Sequence, residues 1–212
     1  LPLQYRSVAN GGFNEVAIWE SKLPEDPESA WAPALRPPVK GDDLITVRHN
    51  LTVTSTLQVD QLVVASGGRL EVSGNGAISA FKVRPGTDIT VEEGGILELA
   101  ASKLMVGTGG LMEVQGQLIN NGDITLEQVS INGTIAQQLV NSGGETYIRK
   151  LVVNNAAGLT ITGLHRTAIL DLQNGLVNTS TGNTLIVEEN STGSEASHIN
   201  GPLQISMYTG AL

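Results

Sequence analysis

The chain has 212 residues, of which 40% are hydrophobic, so it is long enough to bury one sizeable core. Aromatic residues make up only 3% and cysteine is absent, so the core must be aliphatic and neither disulfides nor thiolate metal sites stabilise it. The formal net charge of −9 disfavours binding to nucleic acid or to an anionic membrane surface. The sequence has no apolar stretch of about 18 residues, so we expect no membrane insertion.

Residues 1–40 differ in composition from the rest of the chain. They contain both tryptophans and most of the prolines. Proline removes backbone donors and fixes φ, so the stretch 23–40 is not expected to form a regular strand or a long helix. We interpret 1–40 as a cap segment whose Trp19 and Trp31 press onto the first coil of the regular domain that follows at 41–205.

From residue 41 the sequence becomes a series of short alternating strands separated by Gly, Asn, Ser and Asp. The phrase Gly-Gly, any residue, aliphatic, Glu, aliphatic occurs at 67–72, 94–99 and 109–114. Each copy is a turn signal followed by a strand of period two, and the Gly-Gly pairs provide positive φ at corners. Repetition of one small unit predicts strands that stack along an axis.

Two all-β folds fit this pattern. We predict a right-handed, single-stranded parallel β-helix with coils of about 20 residues and an irregular, Trp- and Pro-rich N-terminal cap. The alternative is an antiparallel β-sandwich, which the Asn-Gly dipeptides at 121, 132 and 174 would serve as hairpin turns. Asn120-Asn121 and Asn154-Asn155 are expected at corners of the β-helix, where amides form ladders.

Several phrases resemble a known class of surface protein; they lie at 11–14, 19–20, 41–53, 151–161, 170–179 and 197–203. They are similar to secreted parallel β-helix proteins of gliding bacteria and their relatives, which are often exported by the type IX route. Phe13 stands where that family has a Trp in its opening Gly-x-Trp. The resemblance implies a secreted or cell-surface location in a bacterium, contact with glycan or adhesion, and one domain of a longer surface polypeptide. It implies no catalytic set.

Asp42 and Asp43 precede the first strand of the regular domain, and His49 follows on that strand. Adjacent carboxylates on a loop suit Ca²⁺, so these two residues are a candidate metal site. The alternative is that they cap the turn and accept hydrogen bonds from backbone N–H groups. No other cofactor is expected.

The glutamates of the repeated phrase, Glu71, Glu98 and Glu113, alternate with aliphatic residues and therefore point outward. We expect them to stack in neighbouring coils, where their like charges repel unless cations, Arg or Lys neutralise them. Glu92 and Glu93 would add to the same acidic stripe. The stripe would be solvated, because an outward stack offers no burial to raise a catalytic pKa.

Trp19, Trp31 and Tyr5 are candidate ligand-binding residues, because aromatic faces suit the C–H surfaces of sugars. The alternative is that they pack within the cap. His165, Arg166 and Asp171 lie in the less regular region 141–212, and the sequence does not show whether they meet.

The predicted function is that of a non-enzymatic structural or adhesive β-solenoid of the cell surface, which presents a flat face to extracellular polysaccharide, matrix or other surface proteins. One alternative is a carbohydrate-active enzyme, a polysaccharide lyase or a fragment of a glycoside hydrolase, because such enzymes also use β-helices. Another is a carbohydrate-binding module. An enzyme should show a groove with acids or Lys/Arg on adjacent coils, and a binding module an exposed aromatic platform. We expect neither.

Overall fold

The alternating strands wind into the stacked turns of a parallel β-solenoid with about seven turns. The structure is a computed structural model that describes residues 1–81, 86–100, 104–108 and 110–206. Across the described strands, antiparallel pairing is confined to the cap, and the solenoid strands pair in parallel. The parallel β-helix is therefore confirmed, and the antiparallel sandwich is excluded.

The strands form two sheets, which we call the fifteen-strand sheet and the nine-strand sheet. The fifteen-strand sheet contains β1 Gln4–Ser7, β3 Trp19–Lys22, β4 Ala32–Pro33, β5 Ile45–Val47, β7 Thr56–Val59, β8 Leu62–Val64, β10 Ala77–Phe81, β11 Ile89–Val91, β13 Leu104–Thr108, β14 Leu111–Val114, β16 Asp123–Ile131, β18 Thr146–Asn154, β20 His165–Asn174, β22 Leu185–Thr192 and β24 Leu203–Ile205. The nine-strand sheet contains β2 Gly11–Gly12, β6 Asn50–Val53, β9 Arg69–Val72, β12 Ile96–Leu99, β15 Gln117–Asn120, β17 Gln137–Asn141, β19 Leu159–Thr162, β21 Val177–Asn178 and β23 Ile199–Asn200. Two 3₁₀ helices, Val16–Ile18 and Glu28–Ala30, lie in the cap.

One turn of the solenoid contributes one strand to the nine-strand sheet and two to the fifteen-strand sheet. In the first turn these are β5, β6 and β7, and β8 then pairs with β5 to begin the second turn. The turns differ in length: the chain advances by 17 residues between the paired Ile45 and Leu62, and by 27 between the paired Leu62 and Ile89. From β16 onward, the two strands of the fifteen-strand sheet join into one, since β16 pairs with both β13 and β14.

The core is built from columns of aliphatic side chains that repeat from turn to turn. One column in the nine-strand sheet is Leu51, Leu70, Leu97, Leu118 and Leu139, which are direct register partners. None of these leucines is more than 1% exposed. Full burial of a Leu side chain stabilises a fold by about 1.5–3 kcal/mol, so such columns hold the turns in register.

The Gly-Gly pairs have distinct roles at the corners. Gly67 and Gly94 have φ of +78° and +82°, the left-handed region that favours glycine. The second glycine of each pair is required by contact, since a Cβ on Gly68 would lie 2.3 Å from the carbonyl oxygen of Val47. The repeated phrase therefore encodes a corner that only two glycines fit. In the third copy, Gly109 lies outside the described residues. So does Lys103, where the alternating pattern at 103–106 predicts the start of a strand.

Buried amides complete two of the corners. Asn155 Nδ2 donates to the Ile135 carbonyl oxygen and to Gln137 Oε1, each at 2.7 Å. Asn120 Nδ2 donates to Thr146 Oγ1 at 2.9 Å, and Asn120 Oδ1 accepts from the Gly122 N–H. Asn120 and Asn155 therefore occupy corners, as predicted, and satisfy backbone groups that the turns leave without strand partners.

Candidate functional site

Two of the three expected sugar-stacking aromatics are part of the cap core. Tyr5 is fully buried and Trp19 is 1% exposed. Trp19 packs edge-on against Tyr5 and against Phe13, with ring centroids 6.2 and 5.1 Å apart, and its indole N–H donates to the Phe13 carbonyl oxygen. These rings close the N-terminal end of the solenoid, where β1 and β2 pair with β5 and β6. Their burial leaves no face for a sugar ring, so the structure corrects the expectation for Tyr5 and Trp19.

Trp31 lies near the surface of the cap, where its ring contacts other cap residues. Its ring is half-buried, with the guanidinium of Arg6 4.5 Å and the ammonium of Lys22 5.4 Å from its centroid. Its indole N–H donates to the carboxylate of Glu28. Cations of the cap therefore lie over the ring of Trp31. The packing of this ring onto the first coil and its stacking on a sugar stay predictions.

Asp42 is 2% exposed and is surrounded by donors. Arg36 contacts both of its carboxylate oxygens at 2.6 Å, and the backbone N–H groups of Val39 and Leu3 donate to them at 2.8 and 3.2 Å. Burial raises the pKa of Asp42, but these hydrogen bonds outweigh burial and hold the pKa below its usual value. Asp43 accepts a hydrogen bond from the Gln4 side chain at 2.9 Å.

The arrangement around Asp42 is that of a turn cap, because donors lie against both of its carboxylate oxygens. A Ca²⁺ site that combines Asp42 with Asp43 stays a prediction. Across the described part of the chain, no three or more His, Asp or Glu side chains are grouped so as to hold a metal ion. His49 is paired in a similar way, since its Nδ1 lies 3.0 Å from the hydroxyl of the buried Ser7.

The glutamates of the repeated phrase separate between the two sheets. Glu71 and Glu98 are register partners on the outer face of the nine-strand sheet, as expected. Arg69 neutralises both, with contacts of 3.1 Å to Glu71 and 2.5 Å to Glu98. Glu113 pairs in register with Thr90 in the fifteen-strand sheet. The predicted stack of three is therefore wrong for Glu113.

His165, Arg166 and Asp171 all lie on β20 but face three different environments. His165 points inward and is 1% exposed, and burial lowers its pKa to about 4, although the Thr162 carbonyl oxygen at 3.0 Å opposes the shift. Arg166 faces outward. Asp171 contacts Lys150 at 3.3 Å and accepts from the hydroxyl of Thr192. The three residues form no common site.

Arg166 lines a cavity of about 570 Å³ on the fifteen-strand sheet. Its guanidinium contacts Glu145 at 2.9 Å and Glu188 on the following turn, and Asp123 also lines the cavity. These acids and the arginine lie on consecutive turns, so the expectation that no charged groove occurs is wrong. The sequence alone did not indicate this groove because its members are about 20 residues apart.

The outer face of the nine-strand sheet has very different chemistry. Its strands contain three charged residues, the mutually paired Arg69, Glu71 and Glu98. The fifteen-strand sheet has twelve, which are Arg6, Glu20, Lys22, Glu113, Asp123, Glu127, Arg149, Lys150, Arg166, Asp171, Glu188 and Glu189. The net charge is −2 on the strands of the fifteen-strand sheet, from five cations and seven acids, and −1 on those of the nine-strand sheet, from one cation and two acids. The nine-strand sheet differs in that its strands from β15 onward contain no charged residue.

Beyond Glu98 this neutral face contains a continuous polar row, which consists of Gln117, Gln138, Thr160, Asn178 and Asn200. The last four are successive register partners. Gln117 lies beside Gln138, because each directly precedes one leucine of the paired Leu118 and Leu139. All five are exposed or half-exposed. Asn200 Nδ2 donates to Asn178 Oδ1 at 3.0 Å, so neighbouring turns of the row contact each other.

Two apolar features adjoin the polar row. Ile119 and Val140, partners in register and both half-exposed, lie beside it two residues further along their strands. On the other side is a groove of about 220 Å³ lined by Gln117, Gln138 and Ile135, and the Ile135 side chain is 55% exposed. We call this the corner groove. Amides flanked by aliphatic surface can bind hydroxyl groups and the apolar faces of a sugar together.

Comparison of the chain with protein-family models, with curated proteins and with solved structures found no match. A membrane-spanning helix would have to be long and apolar, and no helix within the described residues meets that requirement.

Proposed function

We propose that this chain is a non-enzymatic, secreted or cell-surface module of a bacterium that binds extracellular polysaccharide on the outer face of its nine-strand sheet. The observation that supports this function is the polar row, five uncharged hydrogen-bonding side chains from Gln117 to Asn200. A row of this kind repeats every turn at about 4.8 Å, so it offers equivalent contacts to a polymer.

The solenoid supplies the rigidity that such a module needs. Columns of buried leucine fix the register of successive turns, and the buried Asn and Gln side chains fix the corners. A binding face built on strands loses little conformational entropy when it contacts a ligand. The surface-protein resemblance of the sequence is consistent with this role and supports the proposed location.

Binding to immobilised polysaccharides tests the proposal, with a double variant in the polar row and a single control variant on the other sheet, all three substitutions being at exposed glutamines. Gln117→Ala with Gln138→Ala removes amides from the polar row, whereas Gln58→Ala removes one from the fifteen-strand sheet. Each lost hydrogen bond costs about 0.5–1.5 kcal/mol, so the double variant should bind about tenfold more weakly. Gln58→Ala should bind like the wild type. Equal binding by all three proteins, or no binding to any polysaccharide with and without Ca²⁺, would refute the proposal.

The groove around Arg166 supports a second candidate, cleavage of a polysaccharide. A general acid of a glycosidase needs an environment that favours its neutral form. The Glu145 side chain is 63% exposed, and the Arg166 guanidinium contacts both Glu145 and Glu188. This geometry favours binding over catalysis. Release of reducing ends or of unsaturated products, lost in Arg166→Ala, would establish the enzyme instead.

A further inference from the structure

We infer that the ligand of the polar row is an uncharged polysaccharide that lies along the solenoid axis and crosses several turns. This inference rests on the proposed function and specifies its ligand class and direction. It follows from three observations: the charge of the face, the spacing of the row and the position of the corner groove.

The charge of the face excludes charged glycans as preferred ligands. Uronate and sulfate groups are recognised by Arg and Lys, which present matched donors and a positive charge. The only cation on the strands of the nine-strand sheet is Arg69, and Glu71 and Glu98 already neutralise it. The net charge of −9 also repels a polyanion. A polycationic glycan would need carboxylates, and the strands from Gln117 onward have none.

Amides and hydroxyls match an uncharged glycan, because they donate and accept hydrogen bonds as sugar hydroxyls do. Gln117, Gln138, Asn178 and Asn200 each provide both functions through one side chain. Ile119 and Val140 add apolar surface beside the row, where the C–H face of a ring can lie. The sheet therefore offers the two kinds of contact that a neutral sugar makes, without a charge to be desolvated.

The spacing of the row sets the direction of the polymer. Along the axis the five side chains continue over about 20 Å at about 4.8 Å per turn. Across the axis, a strand such as β15 turns only two side chains outward, Gln117 and Ile119, about 7 Å apart. An extended chain therefore meets repeated contacts only if it runs along the axis. The corner groove then flanks the first two members of the track, Gln117 and Gln138.

The test is affinity electrophoresis through gels that contain either a neutral glucan, hydroxyethylcellulose, or an acidic polysaccharide, alginate. The full chain should be retarded by the neutral polymer and not by alginate. The neutral retardation should change by less than about twofold between low and high salt, because no ion pair is involved. Thr160→Lys, which places a cation in the middle of the row, should weaken neutral binding and create retardation by alginate. Thr125→Lys on the fifteen-strand sheet is the matched control and should do neither.

A series of neutral oligosaccharides tests the direction. Affinity should rise with oligomer length until the ligand spans about 20 Å and then level off. A plateau at one or two sugar units would overturn the axial arrangement. Retardation by alginate that is lost in Gln138→Ala would overturn the inference while leaving the proposed function intact. Binding that is lost only in Arg166→Ala would overturn both the inference and the proposed function. The absence of retardation by any polysaccharide would do the same. Circular dichroism confirms that each variant is folded.

Discussion

The buried histidine of the core should make the stability of the solenoid depend on pH. His165 occupies an inward column of the fifteen-strand sheet. Its register partner on β22 is Leu185. On β18 it lies beside Thr146, because the next residues along the two strands, Tyr147 and Arg166, are register partners. It is 1% exposed, and burial lowers its pKa from the usual 6.5 to about 4. The folded protein therefore keeps His165 neutral at a pH where an unfolded chain would protonate it.

The size of the effect follows from the two pKa values. Above pH 6.5 neither state binds the proton, so the stabilisation is complete. Between pH 6.5 and 4 only the unfolded state binds it, and the free energy of unfolding falls by about 1.4 kcal/mol per pH unit. The total loss is about 3 kcal/mol, and it levels off below pH 4, where the folded protein also binds the proton.

Urea denaturation at pH 6.5, 5.5 and 4.5 measures this loss, with His165→Leu as the comparison. Carboxylates with lowered pKa, such as Asp42 and Asp171, lose their stabilisation mainly below their unfolded pKa of about 3.8, in both proteins alike. Between pH 6.5 and 4.5 the wild type should therefore lose about 2–3 kcal/mol more than His165→Leu. Parallel losses in the two proteins would refute the reasoning that burial keeps His165 neutral.

Two further predictions concern ion pairs. Arg36→Ala leaves the carboxylate of Asp42 buried without its cation. Because Arg36 is partly exposed and water can reach its place, we expect the free energy of unfolding to fall by about 2 kcal/mol in urea denaturation at pH 7. The second substitution Asp42→Asn should partly restore it. Arg69→Ala leaves Glu71 and Glu98 adjacent on the nine-strand sheet and should cost about 0.5–1 kcal/mol, less at high salt; a cost unaffected by salt would contradict the electrostatic explanation.

The fold could be predicted from the sequence because its signals are local. A Gly-Gly corner followed by an alternating strand is contained in six residues, and strands occur at Arg69–Val72 and Ile96–Leu99 where the phrase predicts them. The boundaries between consecutive strands were harder to predict from the sequence. The alternating pattern predicts one strand over 57–64, which the structure divides into β7 and β8. It predicts two strands over 123–126 and 129–135, whereas β16 is continuous from Asp123 to Ile131.

The surfaces could not be predicted because they depend on register between distant residues. The turn length varies from 17 to 27 residues, so equal phrases do not occur at equal positions in the coil. Glu113 illustrates this, since its phrase matches that of Glu98 and yet lies on the other sheet. The polar row is hidden for the same reason: Gln138, Thr160 and Asn178 share no local motif and become neighbours only through the pairing of β17, β19 and β21.

The most direct test of the proposed binding face is hydroxyl-radical footprinting of the protein bound to a neutral polysaccharide. Ile119 and Val140 on the nine-strand sheet and Val63 and Ile186 on the fifteen-strand sheet are all half-exposed and report oxidation. The ligand should protect Ile119 and Val140 and leave Val63 and Ile186 unchanged. Protection of Ile186, which lines the cavity around Arg166, without protection of Ile119 or Val140 would contradict binding on the nine-strand sheet.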